Sequence, residues 1–447
     1  MTQAVAPYDT YLSDFRTFED VLPPGEPAWL RELRERAISR FAELGFPTAR
    51  RGNEPWKYTN VAPIAEGRFA YSAATAPAVT PDEIRSGTVW DEGWHSLVFV
   101  NGRYSPALSA AAPASGARVA SLAEAVRAGG PLVRRHLAHH AGFQDSGFTA
   151  LNTAFLSDGA FVHLLEGVEL KTPVHLVFVS TSDAGPSVSY PRTLVVAGAN
   201  SKAAVIESYI GLGAARYLTN AVTEIALEDG AQVDHYKLML EGEDAFHIAG
   251  TRVDQGRDST YFSLSYSMGA LIGRNDLRVL LDGPGGSARL NGLYVTAGSQ
   301  HLDNYINIDH AKPHCTSRLY YKGILDGESR AVFGGTVLVR PGAAKTDAYQ
   351  EDKNLLLSEK AEVDSKPSLE IYADDVKCGH GATAGTVTED AIFYMRSRGL
   401  DLEKASTLLI QGFASEITDT VRIAPLRAYL ERLTLAALRG FKYGLTP

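Results

Sequence analysis

The sequence predicts a mainly β protein: a β-solenoid core flanked by α-helical regions at both ends. Three observations predict it. First, more than twelve strand-length runs crowd into residues 150–385, among them "VHLVFVS", "AAVIESYIG", "NAVTEIALEDG", "QVDHYKLML", "SARLNGLYVTAG" and "SRLYYKGILDG". Each is closed by Gly, Asp-Gly or Pro-Gly, the residues that end strands. Second, no helix-period stretch comes between them, which argues against βαβ units. Third, helical periodicity returns on either side. A large sandwich could space its turns similarly, but so many consecutive strands favour stacked rungs around one continuous core. The Asp-Gly turns beginning at Asp229, Asp282 and Asp326 add a little support, since their spacings fall near multiples of about eleven residues.

Three regions follow: a helical or mixed N-terminal region with a linker at 1–150, the β core at 151–387, and a helical region at 388–447. In the first, Leu30, Leu33, Ala37, Phe41 and Leu44 recur at helical spacing, and Gly45 and Pro47 supply the stop. The turn-rich "GNEPWKYTNVAPI" carries Trp56 and Tyr58, which by themselves read as an aromatic plug under a loop. The Ala/Ser/Pro-rich "PALSAAAPASGAR" at 106–118 reads as a surface loop or linker. At the other end, Thr388 opens one helix that Gly399 closes, and Asp401 caps a second. Pro425 starts a third, closed by Gly440, with Leu426, Tyr429, Leu430, Leu433 and Ala437 on one face. These helices either form a docking module or cap the open end of the solenoid.

Composition narrows the function. The 447 residues are 45% hydrophobic and 21% charged, enough to bury a large core, and the net charge is −9. No long Lys/Arg run favours nucleic acid or an anionic membrane. No apolar run approaches a membrane span. The start "MTQAVAPYDTYLSDF" lacks the features of a signal peptide. Two cysteines, Cys315 and Cys378, cannot form a disulfide framework, which fits a reducing cytoplasm.

Few motifs carry chemistry. "DGPGGSAR" at 282–289 lacks the Lys-Ser/Thr of a phosphate loop and reads as a turn; "FGGTV" at 333–337 reads as a strand-edge bend. No Gly-x-Ser-x-Gly or His-Glu-x-x-His occurs, so no catalytic residue is assigned. His310, His314 and Cys315 sit together in "DHAKPHCTSR", where a structural role is the default. The pair Cys378 and His380, in "DDVKCGHGAT", differs. Along a strand, positions i and i+2 share a face. Thiolate and imidazole are ligands for iron, zinc and copper(I), yet two donors fall short of the usual four or so. Three readings stay open: a structural turn, half of a metal site completed elsewhere, or a Cys–His nucleophile, which such neighbours rarely align.

The stretch 309–413 contains "HAKPHCTSRLYYKGILDGESRAVFGG", "LLLSEKAEVDSKPSLEIYADDVKCGHGATAG" and "EDAIFYMRSRGLDLEKASTLLIQGFASEI". It resembles the SufB/SufD family of iron–sulfur cluster assembly proteins, and "EPWKYTN" is similar to that family's N-terminal Trp-Arg/Lys-Tyr-Thr segment. The SufD branch is nearer. Gly379-His380-Gly381 stands where the SufB branch has Glu-His-Glu, and Glu351 follows Gln350 where SufB carries a cysteine. The resemblance implies a right-handed parallel β-helix that pairs with SufB through its end. It also implies an ATPase, SufC, docked on the C-terminal helices, whose closure remodels the SufB–SufD interface. His380, and less strongly Cys378, become candidate ligands for iron or a nascent cluster shared transiently with SufB. No tightly bound cofactor is expected. The resemblance leaves room for a reduced flavin in the complex and a homodimer when the chain is alone. The expected function is a non-enzymatic scaffold; a SufB-like homodimeric scaffold or an enzyme built on a β-helix are the rivals.

Overall fold

The computed structural model describes residues 9–22, 25–71, 79–110, 115–181, 185–213 and 216–438. Its centre is a β-solenoid of about seven turns, with helices toward both termini. Each turn contributes one strand to an 11-stranded sheet and one to a 10-stranded sheet, and within the stack every pairing is parallel. Ile272 pairs with His301 and His301 with Arg330, so a full turn there takes 29 residues. The repeat is therefore a two-strand turn and not the eleven-residue interval suggested by the Asp-Gly spacing. Strand alternation builds the core. Leu290 and Leu319 from one sheet, and Ile306, Ile308 and Val337 from the other, are buried inside.

One corner of the stack needs left-handed backbone. Asn200, Asp258, His314, Lys345 and Asp375 all have positive φ, between 52° and 62°. Each of the first four donates its N–H to a carbonyl of the following turn, as His314 does to Ala344 and Lys345 to Asp375, both at 2.9 Å. His314 is thus a corner residue. His310 is buried beside it with Nε2 2.9 Å from Ser317 Oγ, and burial lowers its pKa to about 4. Cys315 is buried, its Sγ donates to the Gly283 carbonyl, and burial raises its pKa. The group does structural work, as expected by default.

The flanking regions cover the outer faces. Helices Asp9–Asp20, Ala28–Leu44 and Gly147–Ala154 bring Tyr11, Phe15, Phe18, Phe41 and Phe148 against Leu218, Phe246 and Ile248 of the first sheet. Gly45, at φ 61°, ends the second of these helices. The N-terminal region also supplies the fully buried strand His95–Val100, which joins the second sheet beside Val174–Thr181. The 106–118 segment runs into strand Ala117–Ser121, and residues 111–114 lie outside the described residues. At the other terminus, helices Glu389–Arg396, Leu402–Thr418 and Ala424–Leu438 have the expected caps at Thr388 and Asp401. The third begins one residue before Pro425, and Gly440 lies outside the described residues. Ile410, Ala414, Ile417, Leu426 and Leu430 pack on Tyr236, Phe262, Leu293 and Ile324, on the outside of the second sheet. The helices lie along its side and leave the last turn of the solenoid exposed. Among the described residues no helix is long and apolar enough to cross a membrane.

Two anchors fasten these regions. In "EPWKYTN", Trp56 stacks on Phe148 and lies under Arg274, whose Cζ is 3.9 Å from the indole centroid. Arg274 forms a buried ion pair with Asp303, which also accepts from the Thr59 hydroxyl at 2.5 Å. Glu54 then reaches Lys366, on the last turn, at 2.5 Å. The aromatic plug is a clamp on the solenoid wall. On the opposite wall Lys322, its side chain 1% exposed, donates to the Phe413 carbonyl at 2.9 Å and pairs with Glu416 at 2.8 Å. "FGGTV" is no bend: it lies in the middle of strand Arg330–Val339. A Cβ at Gly334 would stand 2.8 Å from the Tyr305 ring, and one at Gly335 2.5 Å from Gln350 Oε1, so these glycines make room for neighbours.

Arg274→Met leaves Asp303 buried without its cation and should cost roughly 3–5 kcal/mol in urea unfolding. Lys322→Met should loosen the C-terminal helices alone: hydrogen exchange is expected to rise across 402–438 and stay unchanged across the solenoid strands.

Candidate functional site

The stack ends with strands Glu362–Ile371 and Lys377–Gly385, the outermost members of the two sheets. Each pairs on one side only, Glu362–Ile371 with Arg330–Val339 and Lys377–Gly385 with Asp347–Leu356. Their residues are mostly half-buried or exposed, unlike any earlier turn. Asp375, in its left-handed corner, turns the chain from one to the other and pairs with Lys345 below.

Cys378 and His380 both lie on this final strand. Cys378 stands in register over Ala348 and His380 over Gln350. Ala348 and Gln350 are buried inward positions, so both candidates share the inward face at the mouth of the lumen. Cys378 is half-buried and packs against the core; His380 is exposed. Burial, with a contribution from the Asp347 carboxylate, raises the Cys378 pKa. A thiol held in its protonated form is a poor nucleophile, which weighs against the Cys–His nucleophile reading. The glycines around His380 have a packing reason. A Cβ at Gly379 would lie 3.3 Å from the Tyr349 ring, and one at Gly381 3.8 Å from its hydroxyl. Tyr349 thus covers the outer side of the loop-like strand and His380 projects from the other.

Glu351, in register with Gly381, pairs with Lys353 at 3.1 Å on the outer side of its strand. Among the described residues no group of three or more His, Cys, Asp or Glu side chains could hold a metal ion. Cys378 and His380 are therefore two donors, where a first-row metal takes about four. What they can do chemically is complete a site whose other ligands come from another surface.

Beneath them lies a residue that sequence reasoning missed. Asp352 is fully buried, one strand below Ala382. Its carboxylate accepts from Ser365 Oγ and Asn354 Nδ2, each at 2.7 Å, and from Tyr294 OH at 3.3 Å. Burial raises its pKa to about 6. Gln350, also fully buried, donates Nε2 to the Ser368 carbonyl at 2.9 Å while its Oε1 has no partner among the described residues. Period-2 alternation of polar residues in "AYQEDKN" was the available signal, but it marks an inward face only once the lumen is known to be polar there.

The sign of the Asp352 effect follows from linkage. Its folded pKa of about 6 lies above the ~3.9 of a free aspartate, so in that window the folded chain holds a proton that the unfolded chain has lost. Stability therefore falls as pH rises from about 4 to about 6, and the penalty persists above. Asp352→Asn should raise unfolding free energy at about pH 7.5 by on the order of 2–3 kcal/mol and leave it unchanged near pH 3.

Comparison with known proteins closes the description. Residues 178–413 match the family described as SUF system FeS cluster assembly, SufBD core domain, and residues 6–176 match the SufBD protein N-terminal region. An iron–sulfur cluster assembly SufBD family protein of Synechocystis is 33% identical over 91% of each chain. The iron–sulfur cluster assembly protein SufD of Escherichia coli is 33% identical over 87% of this chain and 88% of its own. The Bacillus subtilis protein of the same name is 26% identical over 91% and 93%.

Proposed function

Because the chain belongs to the SufBD family of SUF iron–sulfur cluster assembly proteins, we propose that it is the SufD-type scaffold subunit of an assembly complex. In this reading it pairs with a SufB-type paralogue through the open final turn of the solenoid. An ABC-type ATPase of the SufC kind docks on the C-terminal helices, where Phe393 and Tyr394 are exposed. ATP hydrolysis belongs to that partner, and this chain has no reaction of its own. Iron or a nascent cluster is cargo, held transiently between the two paralogues, and a reduced flavin can serve as electron donor in the complex. The setting is the cytoplasm.

The observation that carries the proposal is the placement of Cys378 and His380 on a strand whose outer edge has no partner among the described residues. An edge of this kind adds a further strand by backbone hydrogen bonding. Joining there brings the missing ligands to the two donors already present, and a half-site binds weakly enough to release its cargo. His380 is the stronger ligand candidate because it is exposed. A homodimeric, SufB-like scaffold would use the same edge, but Glu351 then replaces the cysteine such a scaffold needs.

The test is co-expression with the SufB- and SufC-type partners, anaerobic isolation, and assay for iron and labile sulfide. His380→Ala should give a complex of normal composition that carries no cluster, whereas Cys378→Ala should reduce loading less. A His380→Ala complex with full iron and sulfide would sink the ligand assignment. Failure of the wild-type chains to associate would sink the scaffold reading.

A further inference from the structure

The final strand has few side chains with which to hold itself straight. Of its nine residues, Gly379, Gly381 and Gly385 are glycine, and Ala382 and Ala384 are alanine. Such residues do little to favour extended backbone, and glycine inside a strand weakens it. The strand also pairs on one side only. Its shape has to be held from outside.

Neither Gly379 nor Gly381 adopts left-handed backbone, so conformation does not demand glycine at either position. What glycine does provide is room for Tyr349. This residue lies one strand below, in register with Gly379. A Cβ at Gly379 would meet only the Tyr349 ring, at 3.3 and 3.5 Å. One at Gly381 would meet the Tyr349 hydroxyl at 3.8 Å and Glu351 Cγ at 4.0 Å. The ring therefore lies along the outer face of the strand and spans the two glycines on either side of His380. Burial follows the same boundary. Cys378, Gly379 and Gly381 are half-buried, whereas residues 382–385, beyond the reach of the ring, are all exposed. Tyr349 itself is 45% exposed, so its ring is a brace on the surface and not part of the core. An aromatic ring laid over glycines of an edge strand is a known device for stabilising a weak edge.

We propose that Tyr349 is a positioning residue: its ring holds Lys377–Gly385 extended on the stack, which sets the direction of His380 and keeps the free edge straight enough for a partner strand to join. The proposal deepens the scaffold reading above and rests on it. Along an extended strand alternate side chains take opposite faces. His380 keeps its inward direction only while Gly379 and Gly381 stay extended, and glycines are the residues freest to leave that conformation. Fraying there turns the imidazole away from Cys378. It also breaks up the row of N–H and C=O groups that an added strand reads. Tyr349 acts through the strand, from the face opposite Cys378 and His380.

Hydrogen exchange of the full chain tests the brace. Tyr349→Ala should raise exchange across 377–385 roughly tenfold and leave 287–325 unchanged, while Tyr349→Phe, which keeps the ring, should match wild type. The complex with the SufB- and SufC-type partners tests the consequence. There Tyr349→Ala should weaken association with the SufB-type chain and lower iron affinity, each roughly tenfold, and Tyr349→Phe should keep both at the wild-type level. Unchanged exchange across 377–385 in Tyr349→Ala overturns the proposal. Faster exchange with wild-type association and iron uptake also overturns it, since the ring is then structural only. Both of these results leave the scaffold reading standing. Wild-type chains that do not associate defeat the scaffold reading, and the positioning role falls with it whatever the exchange shows.

Discussion

A parallel stack can satisfy its backbone only from the turn above and the turn below. The ladders between turns supply the strand N–H and C=O groups in this way, and a ladder must stop somewhere. Where it stops, one row of donors and acceptors faces outward. At the amino end the outermost members of the two sheets are antiparallel strands, Ala117–Ser121 and the two-residue Arg103–Tyr104. At the carboxyl end, among the described residues, no antiparallel strand follows. Glu362–Ile371 and Lys377–Gly385 remain the outer members of their sheets, and the helices that follow run down the side instead of across the mouth. The placement of the candidate ligands on this edge is what gives the edge a chemical meaning.

The solenoid interior is not uniformly apolar, and its polar part is where the functional reading concentrates. Glu207, Thr223 and Tyr209 form one buried hydrogen-bonded group, with His235 and Tyr261 joined to each other nearby. Tyr294, Asp352, Asn354 and Ser365 form another under the mouth. Buried networks are costly unless satisfied; each member of this one has a partner, while Gln350 Oε1 and Tyr321 OH beside it have none among the described residues. The apolar rungs Leu290, Leu319, Ile306 and Val337 supply the burial that lets such a lumen persist.

Much of this was legible in the sequence, and for identifiable reasons. The strands around Leu290 and Leu319 announce themselves because apolar inward residues alternate with polar outward ones. Helix Leu402–Thr418 was visible from the Asp401 cap, and the helix after it from the apolar face of Leu426, Tyr429, Leu430 and Leu433. The strand Phe246–Gln255 was harder to see, because its inward face includes His247, Thr251 and Gln255. Asp347–Leu356 hid in the same way, with Gln350, Asp352 and Asn354 as its buried residues. Alternation identifies a strand only while one face is apolar. Cys378 and His380 were found because two uncommon side chains at i, i+2 stand out anywhere. Asp352 was missed because an aspartate between Glu351 and Lys353 looks like any solvated run. Nor could local pattern show that residues 54–59 reach across the chain to Arg274, Asp303 and Lys366.

That long reach has a consequence for how the molecule is made. Glu54 and Trp56 leave the ribosome some 310 residues before Lys366 and the two edge strands. The earlier turns can form as they emerge, each templated by its predecessor. The open edge, and the clasp between Glu54 and Lys366 beside it, can exist only once residues 362–385 have emerged. An incomplete chain therefore ends on a different rung, without Cys378 or His380, and presents no surface matched to the finished one. A chain that stops before residue 362 lacks both edge strands and both candidate ligands.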